Sequence, residues 1–420
     1  MPDIDDAHLI RRADRRLLDA ALAESRARTL RTFAAVDSAL RPSGGRIPYS
    51  PQVNPPLWEL GHVGWFQEYW IGRNPQRMTG IAADPQAPRS APRLADADAL
   101  YDSSRIEHTR RWHLPLPDAA ATRDYLARTL DQTRSILAQC EEGPSGRGLR
   151  YFAWLALMHE DMHHEAALYM AQALSIRPLA QTGPAAGEAA GQGAGELAFA
   201  TTSFQVGEAE GDFAFDNELA VHPARVEAFR IDAEPVGNAA FASFVESGGY
   251  GEPRWWTEQG WQWRSRNEAR QPRDWRAGRD GWRRCAFGQL EPLIESAPVV
   301  NLCLHEAQAW CRWAGRRLPT EVEWELAASS FTPDAAGSSV DRPFRWGQVW
   351  EWTASTFGPY PAFTPHPYAD YSQPWFGTRQ VLRGASFATH PRLRHPRYRN
   401  FFTPERNDIF AGFRSCALVP

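Results

Sequence analysis

The chain lacks any apolar run long enough to act as a secretory signal or to cross a bilayer, and its first residues, Met1-Pro2-Asp3-Ile4-Asp5-Asp6, are acidic. Cytoplasmic residence is the expectation that follows. Cysteine is scarce: Cys140, Cys285, Cys303, Cys311 and Cys416 are too few and too irregularly spaced for a disulfide framework or a cysteine zinc site. Cys303 and Cys311 lie in apolar helical surroundings and are expected to be buried thiols. Net charge is also small. A formal charge of -4 gives no electrostatic case for a nucleic acid or an anionic membrane surface as partner, although arginines cluster locally. No internal repeat marks a solenoid or a propeller. What is present is globular: 43% hydrophobic residues and 18 Trp in 420 residues are ample for two domains with packed cores.

Four segments before residue 180 carry helical periodicity: about 14–41, with Leu18, Leu22, Leu30, Phe33, Val36 and Leu40 at helical spacing, then about 55–72, 118–140 and 151–175. Helices of these lengths predict a four-helix bundle. The Pro-rich stretch 74–117 is long for a connection inside a compact domain and reads as a covering loop, with Tyr101, Asp102, Ser103, Arg105, His108 and Arg111 able to line a site. Residues 181–197, rich in Gly and Ala, read as a linker between a helical domain over 1–180 and a second domain over 198–420. That second part turns to Trp, Arg, Gly and Pro with broken periodicity, which predicts a loop-rich α+β domain. Its clearest helices are expected at about 238–247, 303–314 and 320–329, the last opened by a capping box of Thr320 and Glu323.

The run His159-Glu160-Asp161-Met162-His163-His164-Glu165 sits in a segment, Tyr151 to Leu174, rich in Ala, Leu and Met and free of Pro and Gly. On a helix, His159 and His163 leave the same face one turn apart and can grip one metal ion. Glu165 points elsewhere, which suits a supporting or structural role. Glu160 stands beside the first histidine as a candidate base. Taken alone, the pair suits either a metal site or a polar, solvated helix face. His62 lies in Asn54-Pro55-Pro56-Leu57-Trp58-Glu59-Leu60-Gly61-His62-Val63-Gly64-Trp65-Phe66, a Pro-initiated amphipathic helix. A lone histidine there is ordinarily a core residue. Facing the other two, it would complete a three-histidine site with open coordination positions, which iron and zinc both accept.

Several ordered runs of the second domain resemble the formylglycine-generating-enzyme fold, a variant of the C-type lectin fold: Phe215-Asp216-Asn217-Glu218, Gly248-Gly249-Tyr250, Arg317-Leu318-Pro319-Thr320-Glu321-Val322-Glu323-Trp324-Glu325, Val349-Trp350-Glu351-Trp352-Thr353, Val381-Leu382-Arg383-Gly384-Ala385-Ser386 and Gly412-Phe413-Arg414. Formylglycine generators carry a cysteine pair after the fifth of these runs. Here Ser386-Phe387-Ala388-Thr389-His390-Pro391-Arg392 has none, so that activity is not expected. The first domain resembles a DinB-like bundle. His62 with His159-x-x-x-His163-x-Glu165 is similar to the iron pattern of ergothioneine-type sulfoxide synthases, which join these two domains in this order. The resemblance implies that His62, His159 and His163 hold Fe(II) at the domain interface. It also implies that hercynine, trimethylhistidine, binds the same iron through its imidazole, and that dioxygen drives a bond between a chalcogen and the imidazole carbon.

By matched position, Tyr368 in Tyr368-Ala369-Asp370-Tyr371-Ser372-Gln373-Pro374-Trp375-Phe376 is the implied proton donor. Without the resemblance it reads as an aromatic packing residue in a loop. Arg399-Asn400-Phe401-Phe402-Thr403-Pro404-Glu405-Arg406 resembles the family's substrate loop, placing Asn400 on hercynine and Arg406 on the donor. Where mycobacterial-type members have Trp-Asp after this Asn, the chain has Phe401-Phe402, which removes the carboxylate that holds a donor amine. Together with the His62 segment, this ending looks most like the selenoneine synthase branch, which couples hercynine to a selenosugar. The remaining alternatives are a sulfoxide synthase using cysteine or γ-glutamylcysteine, a zinc-containing or metal-free ligand-binding module, and a DinB-like thiol transferase. In each case the partners are small molecules.

Overall fold

The computed structural model describes residues 3–178, 195–331 and 343–418. Ten α-helices are found among them: α1 Ala7–Ile10, α2 Arg15–Leu40, α3 Pro56–Gln67, α4 Ala97–Tyr101, α5 Ala119–Ala138, α6 Arg147–Ala173, α7 Asn238–Glu246, α8 Glu258–Arg266, α9 Leu304–Trp313 and α10 Glu321–Ser330. Helices α2, α3, α5 and α6 pack on one another as the expected bundle. Asp14 and Asp118 cap α2 and α5, each accepting an amide of the first turn at 2.8 Å. Helix α3 opens on proline and passes into a π-helical turn, Glu68–Gly72. Helix α6 begins four residues before the expected Tyr151. Gly148, a poor helix former, is required there because the 78–80 backbone crosses it: a Cβ at 148 would lie 1.9 Å from the Met78 carbonyl oxygen. The 74–117 connection is not structureless, since it contains α4 and 3₁₀ turns at Gly80–Ala82 and His108–Trp112.

Most of the expected linker, 181–194, lies outside the described residues, whereas Glu196 and Leu197 already belong to a strand. Thirteen strands are described: β1 Glu196–Phe199, β2 Thr202–Val206, β3 His222–Val226, β4 Phe229–Asp232, β5 Trp275–Gly278, β6 Gly281–Ala286, β7 Gln289–Pro292, β8 Arg316–Arg317, β9 Trp350–Thr356, β10 Gln380–Arg383, β11 Asn400–Phe402, β12 Ala411–Gly412 and β13 Cys416–Ala417. They form sheets of order β1-β4-β13-β8, β11-β10-β9-β12, β2-β3 and β5-β6-β7. The capping box of α10 is present: Thr320 Oγ1 accepts the Glu323 amide at 3.2 Å, and the Glu323 carboxylate accepts the Thr320 amide at 2.7 Å. The fold is therefore a helical domain followed by an α+β domain.

The packed cores expected for the two domains are continuous with each other. One apolar cluster runs from Leu18, Trp58, Phe66 and Phe152 in the bundle to Phe215, Trp350, Leu382 and Phe413 in the second domain. The seam is also pinned by polar groups: Arg11 forks onto Glu218 at 2.8 and 2.9 Å, and the α6 residue Asp161 accepts Arg392 Nε at 2.7 Å. All 46 basic residues counted as lysine or arginine are arginine. Their planar forks suit the buried pairs Arg26–Glu160, Arg399–Glu321, Arg383–Glu325 and Arg414–Glu351. No helix of the described residues is long and apolar enough to cross a membrane.

Candidate metal centre

Helical spacing sends the consecutive side chains of His159-Glu160-Asp161-Met162-His163-His164-Glu165 in different directions, and each finds a different environment. Glu160, the candidate base, faces α2 and is locked to Arg26 at 2.8 Å, both side chains being almost wholly buried. It is a structural ion pair and stands in no position to act as a base. Asp161 accepts Ser25 Oγ at 2.6 Å and the guanidinium of Arg392. His164 Nε2 lies 2.9 Å from the Thr32 hydroxyl. Glu165 accepts Trp350 Nε1, Ser386 Oγ and Thr389 Oγ1 at 2.8, 2.6 and 2.8 Å, so it fastens the second domain to the bundle. The stretch where formylglycine generators carry cysteines thus serves here as a docking surface for α6.

His159 and His163 turn together towards α3, where His62 meets them. Potential ligand atoms of the three imidazoles all lie within 4.8 Å of one another. His62 is fixed by a contact of 2.8 Å between Nδ1 and the Tyr101 carbonyl, and Trp58 stacks on its ring. His163 is fixed by a contact of 2.6 Å between Nδ1 and Glu59 Oε2. In each case the other ring nitrogen is left to bind. His159 is held by stacking alone, with the Phe66 ring 3.5 Å away. Both of its ring nitrogens are buried without a hydrogen-bond partner. A buried polar atom with no partner is costly, and a cation bound by one nitrogen of the neutral ring removes the cost at that nitrogen. Burial above all, with His163 next, holds His62 neutral down to about 3, and the same causes in the same order hold His159 well below the ordinary imidazole range. The donor set therefore fits a divalent transition metal with open positions.

Behind His163 runs a chain of which the sequence offered only Arg111, among the candidates of the 74–117 stretch. Asn54 Nδ2 donates to Glu59 Oε1 at 2.6 Å, and Arg111 donates to Asn54 Oδ1 at 2.9 Å while lying 4.0 Å over the Trp58 ring. Burial disfavours the Glu59 carboxylate, but His163, His62 and Asn54 outweigh it and hold its pKa down to about 2. An i, i+4 pattern shows ligands within one helix, whereas this chain joins the 74–117 segment to α3 and α6. Of its other members, Glu59, three residues before His62 on α3, carried a usable signal.

On its open side the histidine cluster borders a cleft of about 220 Å³ at the domain seam. His159, His163, Tyr169, Trp350, Tyr368, Tyr371, Tyr398, Asn400 and Phe402 are among its walls. Tyr368 stands edge-on to His159, 6.2 Å between ring centroids, and burial first, then Asp370 and Asp102, pushes its phenol above the ordinary range, so it stays protonated. Side chains alternate along a strand, so Asn400 and Phe402 face the cleft from β11. Phe401, expected beside them, is turned to the opposite face and stacks on Phe357 at 4.0 Å. Arg406 also departs from expectation: its fork is taken by Asp408 at 2.6 and 2.8 Å, and it lies behind Phe402 and Tyr169. The one carboxylate in the lining, Glu165, is already engaged by its three donors.

Residues 21–167 match the DinB superfamily, and residues 185–342 and 344–418 match the Sulfatase-modifying factor enzyme 1-like domain. The order of these domains and the histidine cluster at their seam define a two-domain class. Within it the chain belongs to the family of the hercynine oxygenases. It is 34% identical to "Hercynine oxygenase" of Mycobacterium tuberculosis over 94% of this chain and 96% of that one, and 33% identical to the protein of the same name from Mycolicibacterium smegmatis over the same shares. "Formylglycine-generating enzyme" of Streptomyces coelicolor is 27% identical over 57% of this chain and 93% of that protein.

Proposed function

We propose that this chain is an oxygen-dependent, non-haem Fe(II) enzyme that acts on hercynine and joins a chalcogen to its imidazole carbon, with a selenosugar as the donor. The observation that carries the reading is the pair of unpartnered nitrogens of buried His159, beside His62 and His163 and open to the seam cleft. Ferrous iron held by these three imidazoles would supply the one-electron chemistry that dioxygen requires. The chain's own residues do the rest. Glu59 and the Tyr101 carbonyl set the orientation of His163 and His62. Tyr368 holds a phenolic proton beside His159, where it can be given to a developing anion. Trp350, Tyr371 and Tyr398 line the cleft with aromatic faces of the kind that attract a quaternary ammonium.

The donor assignment rests on charge. With Glu165 engaged, Arg406 closed on Asp408 and Phe402 at the wall, the lining offers no free carboxylate and no free guanidinium for an amino-acid thiol. Aromatic faces and the Asn400 amide suit a neutral polyol better. The test is an aerobic turnover of the Fe(II)-loaded protein with hercynine and an equal mixture of selenosugar, cysteine and γ-glutamylcysteine, read by mass spectrometry. A selenium-bearing product is expected. A sulfoxide from a thiol donor would overturn the donor assignment alone, and no oxygen-dependent product would overturn the reading as a whole.

A further inference from the structure

The 74–117 segment reaches the histidine centre at two points. The Tyr101 carbonyl, at the end of α4, meets His62, and Arg111, in the 3₁₀ turn His108–Trp112, extends its side chain to Asn54 and Trp58. Arg73 and Arg105 of the same segment pair with Asp98 and Asp102, whereas Arg111 makes no ion pair among the described residues. Burial draws its pKa below the ordinary guanidinium range, and the charge that opposes this is Glu59. Its other contacts are weak: Nη2 lies 3.4 Å from the carbonyls of Ser103 and Ile106, and Nε is buried without a partner. The contact of 2.9 Å to Asn54 and the stacking at 4.0 Å on Trp58 are therefore its principal ones.

We propose that Arg111 is a positioning residue of the metal centre, holding His163 through Asn54 and Glu59 and holding His62 through the Trp58 ring. The inference rests on the metal-binding reading above and adds the side chain that orients two of the three ligands from outside. A guanidinium can only donate, so Asn54 turns Oδ1 towards it and has Nδ2 left for Glu59 Oε1. With Oε1 engaged at 2.6 Å, Oε2 is aimed at Nδ1 of His163. A carboxylate accepts, so that nitrogen carries the proton and Nε2 keeps the lone pair a metal needs. The neutral amide between them matters. A guanidinium forked directly onto Glu59 would take both carboxylate oxygens and offset the charge that holds the His163 N–H. The second arm is packing: the guanidinium covers the Trp58 ring, which lies within 10° of the His62 plane at 5.0 Å between centroids. Displacing Arg111 frees Trp58, and with it the His62 ring.

The test is a titration of the metal-free protein with Co(II) followed by visible absorption, which reports ligand geometry without turnover. Arg111→Met keeps a long side chain but neither donates nor stacks as a plane. It should weaken Co(II) binding by about 10–100-fold and shift the absorption bands. Arg111→Lys can still donate to Asn54 but has no plane to lay on Trp58, so its affinity should fall between the two, with shifted bands. Arg105→Met, which removes an exposed arginine of the same segment, should match the wild type in both readings. Wild-type affinity and bands in Arg111→Met overturn the proposal. So does an equal loss in Arg105→Met, which would assign the effect to a loosened segment. Should Arg111→Met not fold, Arg111→Lys decides, and unchanged bands there overturn the proposal. A wild type that binds no Co(II) would overturn the metal-binding reading itself, a result distinct from variants that bind it as well as the wild type does.

Discussion

The two faces of α6 hold chemically similar side chains in opposite conditions. Towards α2, Glu160, Asp161 and His164 are buried and fully partnered, by Arg26, by Ser25 and Arg392, and by Thr32. Towards α3, His159 is equally buried and has no partner at either ring nitrogen. On the matched face the polar groups hold the helix to its neighbours, and the unmatched imidazole on the other face is the one the proposed metal site would use. Residue type alone does not make the distinction, since His164 sits between His163 and Glu165 and belongs to the structural set.

Breaking the unmatched face should have the largest effect. His159→Ala, like His62→Ala or His163→Ala, should abolish iron loading and turnover while leaving the thermal midpoint close to wild type, as read by metal analysis and calorimetry. Full activity in any of the three would contradict the site. On the matched face the pattern reverses: Glu160→Ala strands the buried Arg26 guanidinium and should cost about 3–5 kcal/mol of stability in denaturant titration. Glu59 lies between the two conditions, because it is partnered yet orients a ligand. Glu59→Gln should weaken iron binding by about 10–100-fold in anaerobic titration with little loss of fold. Tyr368→Phe should keep iron and lower or redirect coupling, and an unchanged product yield would remove Tyr368 from the chemistry.

The smallest effect sharpens the comparison through pH. Although burial works against it, Arg392 and Arg28 bring the Asp161 pKa down from 3.8 to about 2. Because the folded value lies below the unfolded one, its stabilisation is complete above the ordinary carboxylate range and is lost as pH falls through that interval. The stability difference between wild type and Asp161→Asn should therefore shrink as pH drops from 3.8 towards 2, measured by urea unfolding at each pH.

The helices of the bundle and the His159/His163 pair were legible in the sequence because both depend on periodicity within one segment. His62 was legible as a candidate because a polar ring stood in an apolar helix. The roles of Glu160 and Glu59 were not, since each is decided by a partner on another helix, Arg26 and His163. Phe401 is turned away for a simpler reason: strand alternation puts it opposite its neighbours, and β11, only Asn400–Phe402, is too short to show that period in the sequence. The cleft walls Tyr169, Tyr371 and Tyr398 are scattered along the chain and are gathered only by the docking of the two domains, which Glu165 fastens.

The most direct measurement is an anaerobic Fe(II) titration of the wild type and of His159→Ala, followed by addition of hercynine to each. Saturation at one iron per chain in the wild type, a spectral change when hercynine is added, and neither in the variant are predicted. Stoichiometric binding that survives loss of His159, or iron that does not respond to hercynine, would contradict the assignment of the three histidines as the reacting centre.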